Sequence, residues 1–178
     1  MLPTTTPTPL PADRLADLGD TVCVWAHPDD ETYLCGGTMA ALRSAGHRVL
    51  CITATQGERG GSGDPRAVAS LRAGELARAL AVLGVHEHRW LGLPDGGCDE
   101  VPAGPVVARL EQLLRTVQPR TVLTFGPDGL TGHPDHRAVA RWTAEAFARA
   151  GLRRARLLTA GVTTDHRARF GDLEERLG

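Results

Sequence analysis

The chain alternates between short apolar runs and longer stretches in which apolar residues recur every three or four positions. The runs are Thr21–Ala26, Arg48–Ala54, His88–Leu91, Thr121–Phe125 and Arg156–Val162. Each has strand length, and most are flanked by glycine or proline. The first intervening helix is expected to open after Gly36-Gly37 and to run through Met39 and Leu42 to Gly46. A second covers Ala67–Leu83, with Val68, Leu71, Leu76, Leu80 and Leu83 at helical spacing before Gly84. The third carries the clearest stripe, Val106, Val107, Leu110, Leu113, Leu114 and Val117, and stops short of Pro119. The fourth spans Pro134–Ala150. Strand and helix alternating through short connections predict an α/β, Rossmann-like three-layer sandwich with a mainly parallel sheet.

In such sheets ligands bind outside the carboxyl ends of the strands. The loops after the first four strands hold His27, Asp29 and Asp30, then Gln56-Gly57-Glu58-Arg59, then Asp95, and finally His133, Asp135 and His136. The opposite ends hold mostly glycines and arginines, with a stray His47. The chemistry is polarised to one edge, which places a metal site at the carboxyl ends of the strands.

The chain has 178 residues, enough for one domain with a proper core. Residues 1–18, rich in threonine and proline, read as a disordered or irregular tail with a short turn near Leu15–Leu18, and 19–178 as a single domain. No apolar run approaches membrane-spanning length and no signal-peptide pattern opens the sequence, so a cytoplasmic location is expected. A formal charge of −1 without a basic block argues against nucleic acid as a partner. The chain contains no lysine, which excludes lysine-dependent phosphate loops and Schiff bases. Cys23, Cys35, Cys51 and Cys98 lack C-x-x-C spacing, and Cys23 and Cys51 fall inside predicted strands and read as buried thiols, so sulfur is not expected to hold a metal.

His27 and Asp30 are side chains suited to a divalent ion, with Asp29 between them as a second carboxylate. Acids ahead of a helix also serve as ordinary caps, and that reading stands beside the first. His133 and His136 lie three apart at a helix start, with Pro134 in the favoured first-turn position. Two histidines and one carboxylate suit zinc with open positions, and the same set serves iron(II). The expected ligands are therefore His27, Asp30 and His136. Asp29 is the expected base toward an activated water. His133, steered by Asp135, is expected to stabilise an oxyanion or protonate a leaving amine.

At these residues the chain resembles the LmbE-like or PIG-L zinc N-deacetylases, which carry A-H-P-D-D-E after the first strand and H-P-D-H opening a later helix. Both occur unaltered as Ala26–Glu31 and His133–His136. Gly36-Gly37-Thr38, the Gly57-Glu58 turn, Arg72 with Glu75-Leu76, and Leu91-Gly92-Leu93-Pro94-Asp95 also match. The resemblance runs from about Val22 to Ala150. It implies a zinc ion and removal of an acetyl or related acyl group from an amino sugar conjugate of the N-acetylglucosaminide type. It also implies that Arg72 and Asp95 hold sugar hydroxyls, with Glu58 in the substrate-binding set. Some sugar deacetylases of the family carry tyrosine where this chain has Thr131. Family members usually continue past the fifth strand, so the domain reads as shortened at its C-terminus. A homo-oligomer is compatible with the sequence.

Plainer readings accompany these. Arg72 and Glu75 have the spacing of a surface ion pair, and Asp95 that of a turn acid. The glycines Gly57, Gly60, Gly61 and Gly63 fit no phosphate-binding pattern and read as a flexible loop. His47, His86, His88 and His166 are expected in solvent, and Trp90, Trp142 and Phe147 in the core. Two other functions compete with hydrolysis: a non-haem iron oxygenase on the same ligand set, and a non-catalytic sugar-binding relative.

Overall fold

A computed structural model describes residues 12–161. Five strands, β1 (Thr21–Trp25), β2 (Val49–Thr53), β3 (Glu87–Trp90), β4 (Thr121–Phe125) and β5 (Arg156–Ala160), form one sheet in the order β3-β2-β1-β4-β5. Every pairing is parallel, with Cys23 opposite Cys51 on one side of β1 and Thr21 opposite Thr121 on the other. All residues of β1, β2 and β4 are buried, whereas the edge strands are half-buried. That is why the central strands read as unbroken apolar runs: helices cover both of their faces.

The helices are α1 (Asp30–Ser44), α2 (Pro65–Val82), α3 (Ala103–Val117) and α4 (Pro134–Ala150). Right-handed crossovers put α1 and α2 on one face and α3 and α4, which pack on each other, on the opposite face. The core lies between these layers, with Trp25, Phe125, Met39, Leu42, Ile52, Leu110 and Leu114 among its largest sealed side chains. Trp142 is buried as expected, while Trp90 and Phe147 pack against the core from partly buried positions. No helix of the described residues is long and apolar enough to cross a membrane.

Strand order reverses between β1 and β4: the chain leaves β1 towards β2 on one side and returns past it to β4 on the other. The loops after these two strands therefore diverge from one crevice, the usual place for a ligand in an open parallel sheet.

Several local expectations change. The first helix starts at Asp30, six residues before Gly36, because the acids Asp30 and Glu31 suit a helix N-terminus. Gly36-Gly37 follows a kink at Cys35 (φ −147°, ψ 16°) instead of marking the start. In α2 the buried positions are Ala69, Leu76 and Leu80, and Leu71, turned well away from Leu76 around the axis, is 60% exposed. The short turn expected near Leu15–Leu18 is a 3-10 turn over Ala12–Leu18 that buries Leu18 against the core. Residues 1–11, the end of the fifth predicted strand at Val162, and His166 lie outside the described residues.

His88 is also not a solvated side chain. It is half-buried on β3, with Nε2 3.0 Å from the Thr53 hydroxyl and its ring edge-on to Trp90 at 4.5 Å. Burial, with the neighbouring Arg89 charge, pushes its pKa down to about 4. An unfolded histidine titrates near 6.5, so the folded chain binds fewer protons and loses stability as pH falls from about 6.5 towards 4. The thermal midpoint should drop between pH 7 and pH 5, and by less in His88→Gln. Equal drops in melting curves of the two proteins would contradict this assignment.

Candidate metal centre

β1 ends at Trp25, and two residues on His27 turns into the crevice, with its backbone N–H donating to Asp30 Oδ2 at 2.8 Å. From the other side, the loop after β4 delivers His136 on the first turn of α4. His27 Nδ1 and His136 Nε2 lie 3.2 Å apart. Asp30 lies beside them, with Oδ2 3.7 Å from His27 Nδ1 and Oδ1 3.5 Å from His136 Nε2. Asp30 and His136 are 8% and 7% exposed, so little water reaches this gap.

The partners on the far sides of the rings decide what faces the gap. His136 Nδ1 lies 3.0 Å from the carbonyl of Gly129, which only accepts, so the proton belongs on Nδ1. His27 Nε2 lies 3.0 Å from Asp135 Oδ2 and 3.2 Å from Asp95 Oδ1, which places its proton there. With one proton on each ring, both inner nitrogens present lone pairs to each other and to a carboxylate. Three acceptors converging without a donor fit a cation. For bonds of about 2.0–2.1 Å, tetrahedral ligand atoms stand about 3.3–3.4 Å apart, close to the 3.2 Å between the two nitrogens. The donor set therefore fits a divalent ion of the zinc type.

The same crowding moves the titrations. Burial pushes Asp30 up to about 6, against the opposing His27 N–H and ring, and burial pushes His136 down to about 4. A bound cation would draw Asp30 back towards ionisation. Phe125, at the end of β4, stacks on the His136 ring at 4.1 Å and 12° and is itself met edge-on by Trp25. His133 brings a nitrogen within 4.8 Å of those of His27 and His136, so it borders the same gap. A second convergence, His27 with Asp95 and Asp135, lies on the outer nitrogen. Its carboxylates already accept backbone N–H groups, so it supports the ring and is a poorer cation site.

Asp135 does not steer His133, contrary to expectation. Its fully buried carboxylate accepts from His27 Nε2, from Gly96 N–H at 2.7 Å and from Cys98 N–H at 3.0 Å. Burial raises its pKa, but these three bonds outweigh it and leave the group below the ordinary carboxylate range. His133 Nδ1 instead accepts the main-chain N–H of Asp135 at 3.2 Å, which leaves Nε2 to carry the ring proton.

Asp29 is exposed at the helix start and makes no side-chain cap, which removes the plain capping reading for this residue. Its backbone is held at φ 117°, ψ −33°, a conformation costing on the order of 1–3 kcal/mol in a non-glycine residue. Arg72 donates to Asp29 Oδ2 at 2.7 Å, to Pro28 O at 2.5 Å and to Gly57 O at 3.4 Å. It does not make the surface pair with Glu75 that its spacing suggested. Gly57 and Gly60 are small for this reason, since a Cβ at Gly60 would lie 2.1 Å from the guanidinium. Asp95 is likewise more than a turn acid: it accepts from Arg59 N–H at 2.7 Å and donates its own N–H to Glu58 Oε1 at 2.9 Å. Beside it opens a cavity of about 680 Å³ lined by Glu58, Arg59, Asp95, Gly97, Glu100 and Pro102.

Sequence reasoning missed Phe125, Glu31 and the amides of Gly96 and Cys98. Glu31 stood inside the acidic run and Phe125 at a strand end, but nothing in the spacing of the backbone amides announces them.

A family model described as GlcNAc-PI de-N-acetylase, PIG-L, matches residues 22–147. A 1D-myo-inositol 2-acetamido-2-deoxy-α-D-glucopyranoside deacetylase of Kineococcus radiotolerans is 40% identical over 156 residues, 70% of this chain and 43% of that protein. Its counterpart in Thermobifida fusca is 37% identical over 153 residues, covering 71% and 54%. The chain thus spans about half the length of the curated relatives it matches. Among solved structures, the N,N'-diacetylchitobiose deacetylase of Pyrococcus horikoshii superposes with TM-score 0.69 at 29% identity, covering 77% of this chain and 52% of that one.

Because Asp135 holds the outer nitrogen of His27, Asp135→Asn should loosen that ring and weaken zinc binding by about 10–100-fold. Competition with a chromophoric chelator measures it, and unchanged affinity would show that the bond does not orient the ring.

Proposed function

This chain belongs to the PIG-L family, and from that membership and the geometry at the sheet rim we propose that it is a metal-dependent hydrolase. It removes an acetyl or other acyl group from the amide nitrogen of an amino sugar conjugate of the N-acetylglucosaminide type. The observation that carries this reading is the pair of inner nitrogens, His27 Nδ1 and His136 Nε2, 3.2 Å apart beside the Asp30 carboxylate. These three residues would hold the ion, zinc in the first instance and iron(II) as the alternative occupant. Such an ion supplies Lewis acidity, lowering the pKa of a water to about 7 and polarising an amide carbonyl.

The protein's own groups supply the rest. Asp29 takes a proton from the attacking water. Its carboxylate serves no ligand ring and no backbone amide, and Arg72 holds it in place. His133, with its proton on Nε2, donates a hydrogen bond to the developing oxyanion, and the proton that Asp29 took from the water passes to the departing amine. Asp135 acts through His27 by fixing its ring. Oxygenase chemistry has no use for Asp29 in this position, which favours hydrolysis.

The relatives' names specify an inositol-linked N-acetylglucosamine and a diacetylated chitobiose. The cavity beside Asp95 has the size of a small-molecule pocket and is walled by carboxylates and an arginine, which suits a polyol aglycone. Glu58 and Asp95 line that cavity, Asp95 also reaches His27, and Arg72 holds Asp29; these three would meet the sugar.

Zinc-loaded protein should release acetate from N-acetylglucosaminides, and chelator-stripped protein should not. Release by neither form would overturn the proposal. Asp29→Asn should retain the metal and lower kcat by about 10²–10⁴-fold, as for loss of a general base. His136→Ala should lose the metal, as read by elemental analysis; stoichiometric zinc in that variant would show the ligand set to be wrong.

A further inference from the structure

Glu31 is a carboxylate to which the proposed chemistry gives no task. It sits on the first turn of α1 with no solvent exposure. Oε2 accepts the backbone N–H of Asp29 at 3.1 Å, and Oε1 accepts the hydroxyl of Thr32 at 2.6 Å. Burying an acidic side chain for two neutral donors is unfavourable unless the position matters for another reason.

The group it holds is the least ordinary stretch of backbone in the structure. Three non-glycine residues among those described have positive φ. Gln118 and Leu130, at 52° and 64°, lie in the left-handed helical region, whereas Asp29 at 117° lies beyond it. The clamps on Asp29 come from three directions. Its carbonyl accepts from Thr32 N–H at 2.9 Å and Tyr33 N–H at 3.0 Å, Arg72 takes the preceding carbonyl and the carboxylate, and Glu31 takes the N–H. Only the last bond acts on the amide whose rotation defines φ. The direction of Cα–Cβ relative to the preceding peptide follows φ, so relaxation to a negative φ would swing the carboxylate off Arg72 and away from the rim. His27 and Asp30 keep their own anchors, since the His27 N–H donates to Asp30 and the His27 ring bonds Asp135.

We infer that Glu31 is a positioning residue for Asp29: its buried carboxyl holds the Asp29 amide in the unusual conformation that aims the base. The inference rests on Asp29 being the base. A glutamate that merely completes the helix start, as the returning arm of a capping box does, would stabilise α1 without touching the rate.

Glu31→Met fills the volume without an acceptor, whereas Glu31→Gln keeps an amide oxygen for the same N–H. Zinc-loaded Glu31→Met should keep one zinc and a KM within about twofold while kcat falls by about 10–100-fold, an effect on the transition state alone. Glu31→Gln should recover most of that loss. In an Asp29→Asn background Glu31→Met should cost nothing further, since both changes disable one device. A crystal structure of Glu31→Met should show Asp29 at negative φ, and hydrogen exchange should show the Asp29 amide protected in the wild type. An unchanged kcat, full additivity with Asp29→Asn, Asp29 still near its present φ, or a wild-type Asp29 amide exchanging as fast as exposed loops would each overturn the inference. If wild-type protein releases no acetate, the hydrolase reading fails, and the crystal structure and amide exchange decide the Glu31 question on their own.

Discussion

Two imidazole nitrogens and a carboxylate are held against one another in a nearly dry gap, and much of the surrounding structure works to keep them there. Left alone, three acceptors at 3.2–3.7 Å would separate or recruit a proton. They remain because each is anchored from behind. Gly129 holds the outer nitrogen of His136, Phe125 lies flat against that ring, and Asp135 with Asp95 brackets the outer nitrogen of His27. The anchors come from the connection after β3 and from β4, the loop that follows it and the first turn of α4, so the gap is a property of the assembled sheet edge.

The sheet makes this assembly possible by reversing its strand order between β1 and β4. Adjacent strands whose chains leave in opposite directions open a crevice at their carboxyl ends. The sealed strands beneath it, with Trp25 edge-on to Phe125, leave the loop residues little freedom to sink or rotate. The β3–α3 connection then closes in from the side, offering the amides of Gly96 and Cys98 to Asp135. A carboxylate that would be costly to bury alone is satisfied by two N–H groups and a ring, and it passes that rigidity on to His27.

The fold was legible because its signals were redundant. Runs such as Val22–Trp25 and Val122–Phe125 could belong only to strands covered on both faces, and the stripe of α3 had a single reading. The candidate site was legible for a related reason: histidine and aspartate spacings at two strand ends converge only in a parallel sheet. What stayed hidden depended on side-chain direction. Leu71 has helical spacing to its neighbours but faces solvent, because its angle around the axis differs from that of Leu76 and Leu80. Gly36-Gly37 looked like a helix start, yet the acids before it open α1 and the glycines follow a kink. Asp135 sits beside His133 in sequence and was paired with it, but the first turn of α4 points the carboxylate inward to His27. The spacing of residues says which side chains can meet, and the far partners of a ring say what the meeting is for.

The account depends most directly on the two inner nitrogens acting on one ion. Two-bond proton–nitrogen correlation spectra of uniformly labelled protein, recorded during zinc titration, resolve all four ring nitrogens of His27 and His136. The account predicts that Nδ1 of His27 and Nε2 of His136 shift together and saturate at one equivalent of zinc, while the outer nitrogens keep their protons. Movement of only one inner nitrogen, or of neither, would contradict it.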